Sequence, residues 1–275
     1  MEPGDRVHEG VRREDHCYAE TFAERWRGIP GHHFEHGFDV TLRPERLEQP
    51  LRWRGPKRIF VNSMSDLFHD RVPDEFIARV FAVMTLAPQH TFMVLTKRPG
   101  RMRSLLCSGP RWRTLLHDTA DWVAGLALPV PVDRFVTLLG GAKAPPPNVW
   151  LGVSAESPGW APVRLGALAA VPGAAVRFAS CEPLLAPLDL RPWLGSGLDW
   201  VIVGGESGPG ARLMDLAWAR DIIAQCGAAG VPVFVKQLGT AAGRELGAGP
   251  KGGDWDAWPA DLKVRGFPRT AAAPS

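Results

Sequence analysis

Two carboxylates, Glu182 and Glu206, each stand just past a short apolar run, a place where a side chain can serve as acid, base or ligand to an amino group. Glu182 follows Ser180-Cys181, and Glu206 follows Gly204-Gly205 and precedes Ser207. Asp66 ends a similar polar turn, Asn62-Ser-Met-Ser-Asp66, beside the hydroxyls of Ser63 and Ser65. Lys97 and Arg98, and further on Lys236 with Gln237, supply cations that can hold an anionic substrate or a cofactor carboxylate. Gly204, Gly205, Gly208 and Gly210 allow a sharp turn and a close approach to a bound phosphate, carboxylate or adenosyl group. The turn is no dinucleotide fingerprint, because Leu213 stands where Gly or Ala is needed. A tight strand-to-helix turn with no ligand explains the same glycines equally well.

Other candidates carry less. Glu182 and Glu206 follow adjacent strands and can approach one another; capping a helix, or pairing with Arg177 or Arg212, is the structural alternative. No His is placed to activate Cys181, so it reads as a small buried residue. Cys107 and Cys226 read as structural. His32-His33-Phe34-Glu35-His36 has ligands at helical spacing, but without a second ligand cluster a solvated loop is the simpler reading.

The elements that must position these groups are legible from apolar runs. Strands are expected at 58–61, 91–95, 149–153, 175–179, 201–203 and 231–235, each ending in polar or ionisable residues. Helices are expected at 17–26, from Pro73 with Phe76, Val80, Phe81 and Met84 on one side, around 111–126, and near 162–170. A further helix is expected after Asp215, with an inward stripe of Leu216, Ala219, Ile223 and Cys226, stopped by Gly230. Continuous apolar strands separated by helices point to an α/β fold, a partial or complete parallel β/α barrel, whose strand ends meet at one rim. Residues 1–16 are charged and patternless and are expected to be disordered. The barrel is expected over 17–259 with an irregular helical insertion at 100–147, and 260–275 is expected as a C-terminal tail.

With 45% hydrophobic and 22% charged residues in 275, the composition fits a soluble globular chain and excludes a disordered one. A net charge of +3 permits a nucleic-acid partner without indicating one. No apolar run reaches membrane length and the first residues lack the apolar core of a secretion signal, so no membrane partner and a cytoplasmic location are the expectation. The four cysteines are scattered without a Cys-x-x-Cys pair.

Several blocks in order, His16-Cys-Tyr-Ala-Glu-Thr, Arg58-Ile-Phe-Val-Asn-Ser-Met-Ser-Asp-Leu-Phe-His69, Val94-Leu-Thr-Lys-Arg-Pro99, Asn148-Val-Trp-Leu-Gly-Val153, Ser180-Cys-Glu-Pro-Leu184, Trp200-Val-Ile-Val-Gly-Gly-Glu-Ser-Gly208 and Val235-Lys-Gln237, resemble the phage-related Gp-thirty-seven/Gp-sixty-eight family, a domain of unknown function. The resemblance runs from about Cys17 to Pro259. It implies a radical-SAM-type barrel of the TIM-barrel kind, a 4Fe-4S iron-sulfur cluster and S-adenosylmethionine, with Cys17 as cluster ligand. In that picture Asp66, Glu182 and Glu206 do chemistry at the rim. Ser63, Ser65, Lys97, Arg98, Gly204, Gly205, Ser207 and Lys236 bind the cofactor. The family pattern has two further cysteines, three and ten positions before this one, where the chain carries Glu14 and Val7. A site-differentiated cluster needs three protein thiolates, leaving one iron for S-adenosylmethionine. The resemblance also implies a leading segment with a first barrel strand that this sequence lacks, which points to a mis-assigned or frame-shifted start or to a member without its cluster.

Two further readings stand beside radical chemistry. One is a non-redox barrel that binds a nucleotide or nucleic acid through Lys97, Arg98 and the glycine turn. The other is a metal-free hydrolase built on Glu182 and Glu206.

Overall fold

The computed structural model describes residues 18–62, 64–126, 135 and 145–269. Six strands, β1 (Arg58–Val61), β2 (Thr91–Thr96), β3 (Val149–Ser154), β4 (Arg177–Cys181), β5 (Trp200–Gly204) and β6 (Val233–Gln237), form one parallel sheet whose spatial order is the chain order. The helices are α1 (Tyr18–Glu24), α2 (Gln49–Arg52), α3 (Asp74–Leu86), α4 (Pro99–Leu106), α5 (Pro110–Asp118), α6 (Ala120–Ala124), α7 (Ala161–Ala169), α8 (Leu216–Ala228) and α9 (Gly239–Leu246). Laying each strand beside the one before it curls the sheet in a single sense, and the result is a parallel β/α half-barrel.

Strand alternation divides the sheet into an outer and an inner face. Val149, Leu151, Val153, Ala179, Cys181, Val201, Val203, Val233 and Val235 belong to the main core beneath the helices. Trp150, Phe178, Trp200 and Ile202, with Met93, Leu95 and Phe234, form a separate cluster on the concave side. Gly152 is obligatory in that cluster, because a Cβ there would lie 2.3 Å from the Phe178 ring.

The helices follow local rules. Pro73 stands at the N-cap position of α3 without a capping side chain, and the first turn carries Asp74 and Glu75 where the helix dipole favours anions. Asp215 caps α8, its side chain accepting the Ala217 N–H at 2.8 Å, and Gly230 ends that helical segment at φ +68. The inward stripe of α8 is Ala219, Ile222, Gln225 and Cys226, while Leu216 and Ile223, both expected inside, are only partly buried.

Several boundaries differ from the sequence reading. β4 and β6 begin two residues later than expected, at Arg177 and Val233, so that Cys181 and Lys236 lie within strands. The single helix expected over 111–126 is two, α5 and α6, divided at Thr119. α4 escaped prediction because only Pro99, Met102 and Leu105 face inward among charged and polar neighbours. Of the irregular insertion expected at 100–147, residues 127–134 and 136–144 lie outside the described residues. So do the expected disordered segment 1–16 and the end of the tail.

Beyond Pro259 the chain returns to the sheet. The Val235 N–H donates to Val264 O at 2.9 Å and the Gly266 N–H to Val233 O at 2.6 Å, so this segment covers the outer edge of β6. Trp200 Nε1 donates to Gly266 O at 2.9 Å. Phe267 packs 5.4 Å from Trp200 and 5.1 Å from Phe234, and the Arg58 guanidinium of β1 lies 4.1 Å from its ring. The first and last strands are thereby joined across the amino-terminal end of the half-barrel. Among the described residues no helix is long and apolar enough to cross a membrane.

Candidate functional site

The alternation that turns Trp150, Phe178 and Phe234 inward also turns Ser154, Ser180 and Lys236 inward, nearer the carboxyl ends of the same strands. Ser154 on β3 and Ser180 on β4 are register partners, 3% and 4% exposed, and among the described residues no side-chain hydrogen bond engages either hydroxyl. Two residues further on, each strand delivers a glutamate. Ser154-Ala-Glu156 and Ser180-Cys-Glu182 are thus parallel copies of one Ser-x-Glu arrangement on neighbouring strands.

Each glutamate is held by a lysine from another strand's carboxyl end, Glu156 by Lys97 just past neighbouring β2 and Glu182 by Lys236 of β6. Lys97 Nζ lies 2.8 Å from Glu156 Oε1, at an angle short of hydrogen-bond alignment, while Arg164 Nη1 donates to Glu156 Oε2 at 2.6 Å. Arg164 is itself buried in α7 and also donates to Ser154 O at 3.1 Å. On the other side, Lys236 Nζ donates to Glu182 Oε1 at 2.9 Å, and Gln237 Nε2 donates to the same oxygen at 2.7 Å. This second clasp spans β5, where Gly204 leaves the space: a Cβ there would lie 3.2 Å from both Gln237 Nε2 and Glu182 Cγ. The Glu182-Pro183 peptide is cis.

Asp66 organises the opposite end of the rim. It accepts from Thr96 Oγ1 at 2.8 Å and from the Lys97 N–H at 3.0 Å, and Arg98 Nη1 stands 3.6 Å away. Ser65 Oγ accepts from Asn62 Nδ2 at 2.7 Å, next to an Asn62 backbone at φ +61. His69 is close to this group. Partial burial, reinforced by the Arg98 charge, holds its pKa below the ordinary imidazole value. Cys17, His16, Glu14, Val7 and Ser63 lie outside the described residues.

Glu206 is largely covered, with a side chain 9% exposed. Its carboxylate accepts from the Arg212 N–H at 2.7 Å and from Arg212 Nε and Nη2 at 2.8 and 2.7 Å, so it closes the loop that follows β5. Gly205 serves internal packing, since a Cβ would fall 2.2 Å from Leu238 O. Ser207 is half-buried in the same loop, and the Gly208 N–H donates to Thr240 Oγ1 at 3.0 Å.

The remaining thiols and imidazoles stand apart from the mouth. Cys181 faces the helix side and Cys226 lies in α8; burial pushes the Cys226 thiol up to about 12 and the Cys181 thiol higher still. Cys107, expected to be structural, is exposed at the end of α4. His32 stacks on Trp26 with ring centroids 4.3 Å apart. Among the described residues no group of three His, Cys, Asp or Glu is placed to hold a metal ion.

Ser154 and Glu156 end a strand whose polar end the sequence places at the rim, though without a role in the chemistry, whereas Ser180 and Arg164 were not singled out as site residues. The signal available was the repeated Ser-x-Glu at the ends of two consecutive strands; nothing in the sequence marked Arg164 as the residue that would reach back to Glu156.

A family model described as a protein of unknown function (DUF5131) matches residues 5–259. No curated protein and no solved structure matches the chain.

Proposed function

The chain belongs to the DUF5131 family of proteins of unknown function, and from that premise we propose that its barrel mouth binds a nucleoside-containing small molecule without redox chemistry of its own. One observation carries the reading: the twin Ser-x-Glu arrangement, in which two largely buried serines turn inward hydroxyls that no side-chain hydrogen bond engages among the described residues. Carboxylates and hydroxyls side by side suit the vicinal hydroxyls of a ribose. Lys97 and Lys236, on the flanks, suit a phosphate or carboxylate. Met93, Leu95, Ile202 and Phe234 below them offer apolar surface to a base.

S-adenosylmethionine combines a ribose, a base and a carboxylate, and it is the ligand that the resemblance to phage-related, radical-SAM-like proteins implies. The residues do not fit the cluster that would accompany it. Val7 and Glu14 occupy two thiolate positions, Cys181 and Cys226 are buried on the helix side, and Cys107 ends α4. In this reading the mouth carries no iron-dependent chemistry. Glu182, Glu206 and Asp66 are each engaged by named donors, and in this reading they position groups at the mouth or hold its loops.

Calorimetric titration with S-adenosylmethionine, adenosine and ATP tests the proposal. Binding of at least one of them is expected, and a Ser154→Ala/Ser180→Ala double variant is expected to lose it while keeping its urea midpoint. Failure of all three nucleosides to bind sinks the mouth reading. Stoichiometric iron uptake on anaerobic reconstitution would overturn its non-redox part.

A further inference from the structure

The positive charge of this chain is concentrated in one place. From Lys97 to His117 the sequence holds Lys97, Arg98, Arg101, Arg103, Arg111 and Arg113 and no Asp or Glu, although the whole chain is only +3. The rest of the chain is therefore net negative. This segment builds the end of β2, α4 and α5, directly beside the mouth.

Acids from other elements neutralise part of it. Arg101 Nη2 lies 2.7 Å from Asp74 Oδ1 and Arg111 also pairs with Asp74, while Lys97 and Arg98 face Glu156 and Asp66. Three carboxylates thus serve four of the six cations. Arg103 and Arg113 are exposed and make no ion pair with another described residue. Trp160, the residue before α7, is 40% exposed, and the Arg164 guanidinium lies 4.9 Å from its ring. α7 packs against α4, so an open indole sits on the helix next to the cationic one, four residues past Glu156.

We infer that this face is a track for single-stranded nucleic acid, with phosphates on Arg103 and Arg113 and a base stacked on Trp160 at the entrance to the mouth. Five of the six cations are arginines, whose planar fork matches phosphate oxygens better than an ammonium does. An exposed indole adds a base-stacking platform without sequence preference. A lipid surface is the poorer occupant: Met102, Leu105, Trp112 and Leu116 are buried, so the apolar side of α4 and α5 is already committed to the core. The inference goes beyond the nucleoside site and is carried by different residues.

Fluorescence anisotropy with a labelled oligothymidine of about twenty nucleotides, long enough for a site of several bases, tests it across a salt series. Binding is expected to weaken steeply with salt. An Arg103→Ala/Arg113→Ala double variant is expected to bind more weakly and to lower the slope of log affinity against log salt by about 1.4, from roughly 0.7 per phosphate on a single strand. Trp160→Ala is expected to weaken binding about ten-fold with the slope unchanged. An Arg103→Lys/Arg113→Lys variant, folded by circular dichroism, is expected to restore the slope. No oligonucleotide binding at low salt overturns the track, as does Trp160→Ala binding unchanged or anionic vesicles binding as tightly as the strand. Nucleoside titration separates the two readings: nucleoside binding without strand binding removes the track alone, and strand binding without nucleoside binding removes the mouth site alone.

Discussion

Lys236 on the last strand sets its Nζ 2.9 Å from Glu182 Oε1, two strands away, by passing over Gly204. A side chain on the intervening strand would ordinarily fill that space. Its absence lets β4 and β6 share a charge pair at the mouth. The pair is half open to water, with the lysine side chain 56% and the glutamate 20% exposed, so its value is in placing Glu182 beside Ser180 more than in stability.

Adjacent glycines here have different jobs, and substitution separates them. In Gly204→Ala the new Cβ meets the ends of Gln237 and Glu182 at 3.2 Å, and those side chains can shift. The expected cost is below about 1 kcal/mol, with weaker ligand binding because Glu182 moves. In Gly205→Ala the Cβ meets the Leu238 carbonyl at 2.2 Å, and main chain cannot step aside so cheaply. The expected loss is about 3 kcal/mol or failure to fold. Urea denaturation of both variants checks the order; equal midpoints would contradict it.

Thiol labelling reads how tightly the helices cover the outer face of the sheet. Cys107 is exposed, whereas burial raises the Cys181 and Cys226 thiols well above neutrality and covers them. Brief iodoacetamide treatment of the native protein at mildly alkaline pH is expected to modify Cys107 and to spare Cys181 and Cys226 until denaturant is added. Peptide mass spectrometry would show the pattern. Rapid native labelling of Cys181 would mean that β4 does not pack its outer face as described.

The parallel sheet was readable in advance because Ile59, Val94, Leu151 and Val201 belong to apolar runs with polar ends, a local signal that needs no knowledge of neighbours. The ends of β4 and β6 were misplaced by two residues because Ala175 and Val231 continue the apolar runs backward, and only pairing decides where a strand begins. Rim membership of Glu182, Lys236, Lys97 and Asp66 followed from strand ends. Their partners did not. That Glu206 would be closed by Arg212 was one of two pairings open to it, and that Arg164 would turn back to Glu156 depends on how α7 lies against β3. The glycines were the most ambiguous signal, since a glycine needed for a ligand and one needed by Leu238 look identical in a sequence.

Acid sensitivity should report on His69. Burial and the Arg98 charge depress its folded-state pKa from the ordinary 6.5. The unfolded chain then takes up its proton first as pH falls, so this residue's share of stability is present above about 6.5 and is lost on the way down to the folded value. His33, depressed chiefly by burial, adds a term of the same sign. Urea midpoints measured between about pH 7.5 and 5.5 are expected to fall, and His69→Gln is expected to flatten but not abolish that fall. An unchanged slope in His69→Gln would place the pH sensitivity elsewhere.

Closure of the half-barrel at its amino-terminal end rests on Phe267, which touches Trp200 and Phe234 from the last two strands and receives Arg58 from the first. Phe267 is 41% exposed, so its removal leaves a partly wet gap instead of a sealed cavity. Phe267→Ala is expected to cost about 1–2 kcal/mol, from two aromatic contacts and one cation–π contact. It is also expected to shift tryptophan emission to longer wavelength as Trp200 gains water. A double-mutant cycle with Arg58→Ala isolates the link between the edges, and a coupling of about 0.5–1 kcal/mol is expected. Zero coupling, with Phe267→Ala still destabilising, would show that Phe267 supports only β5 and β6 and that the edge strands are not joined through it.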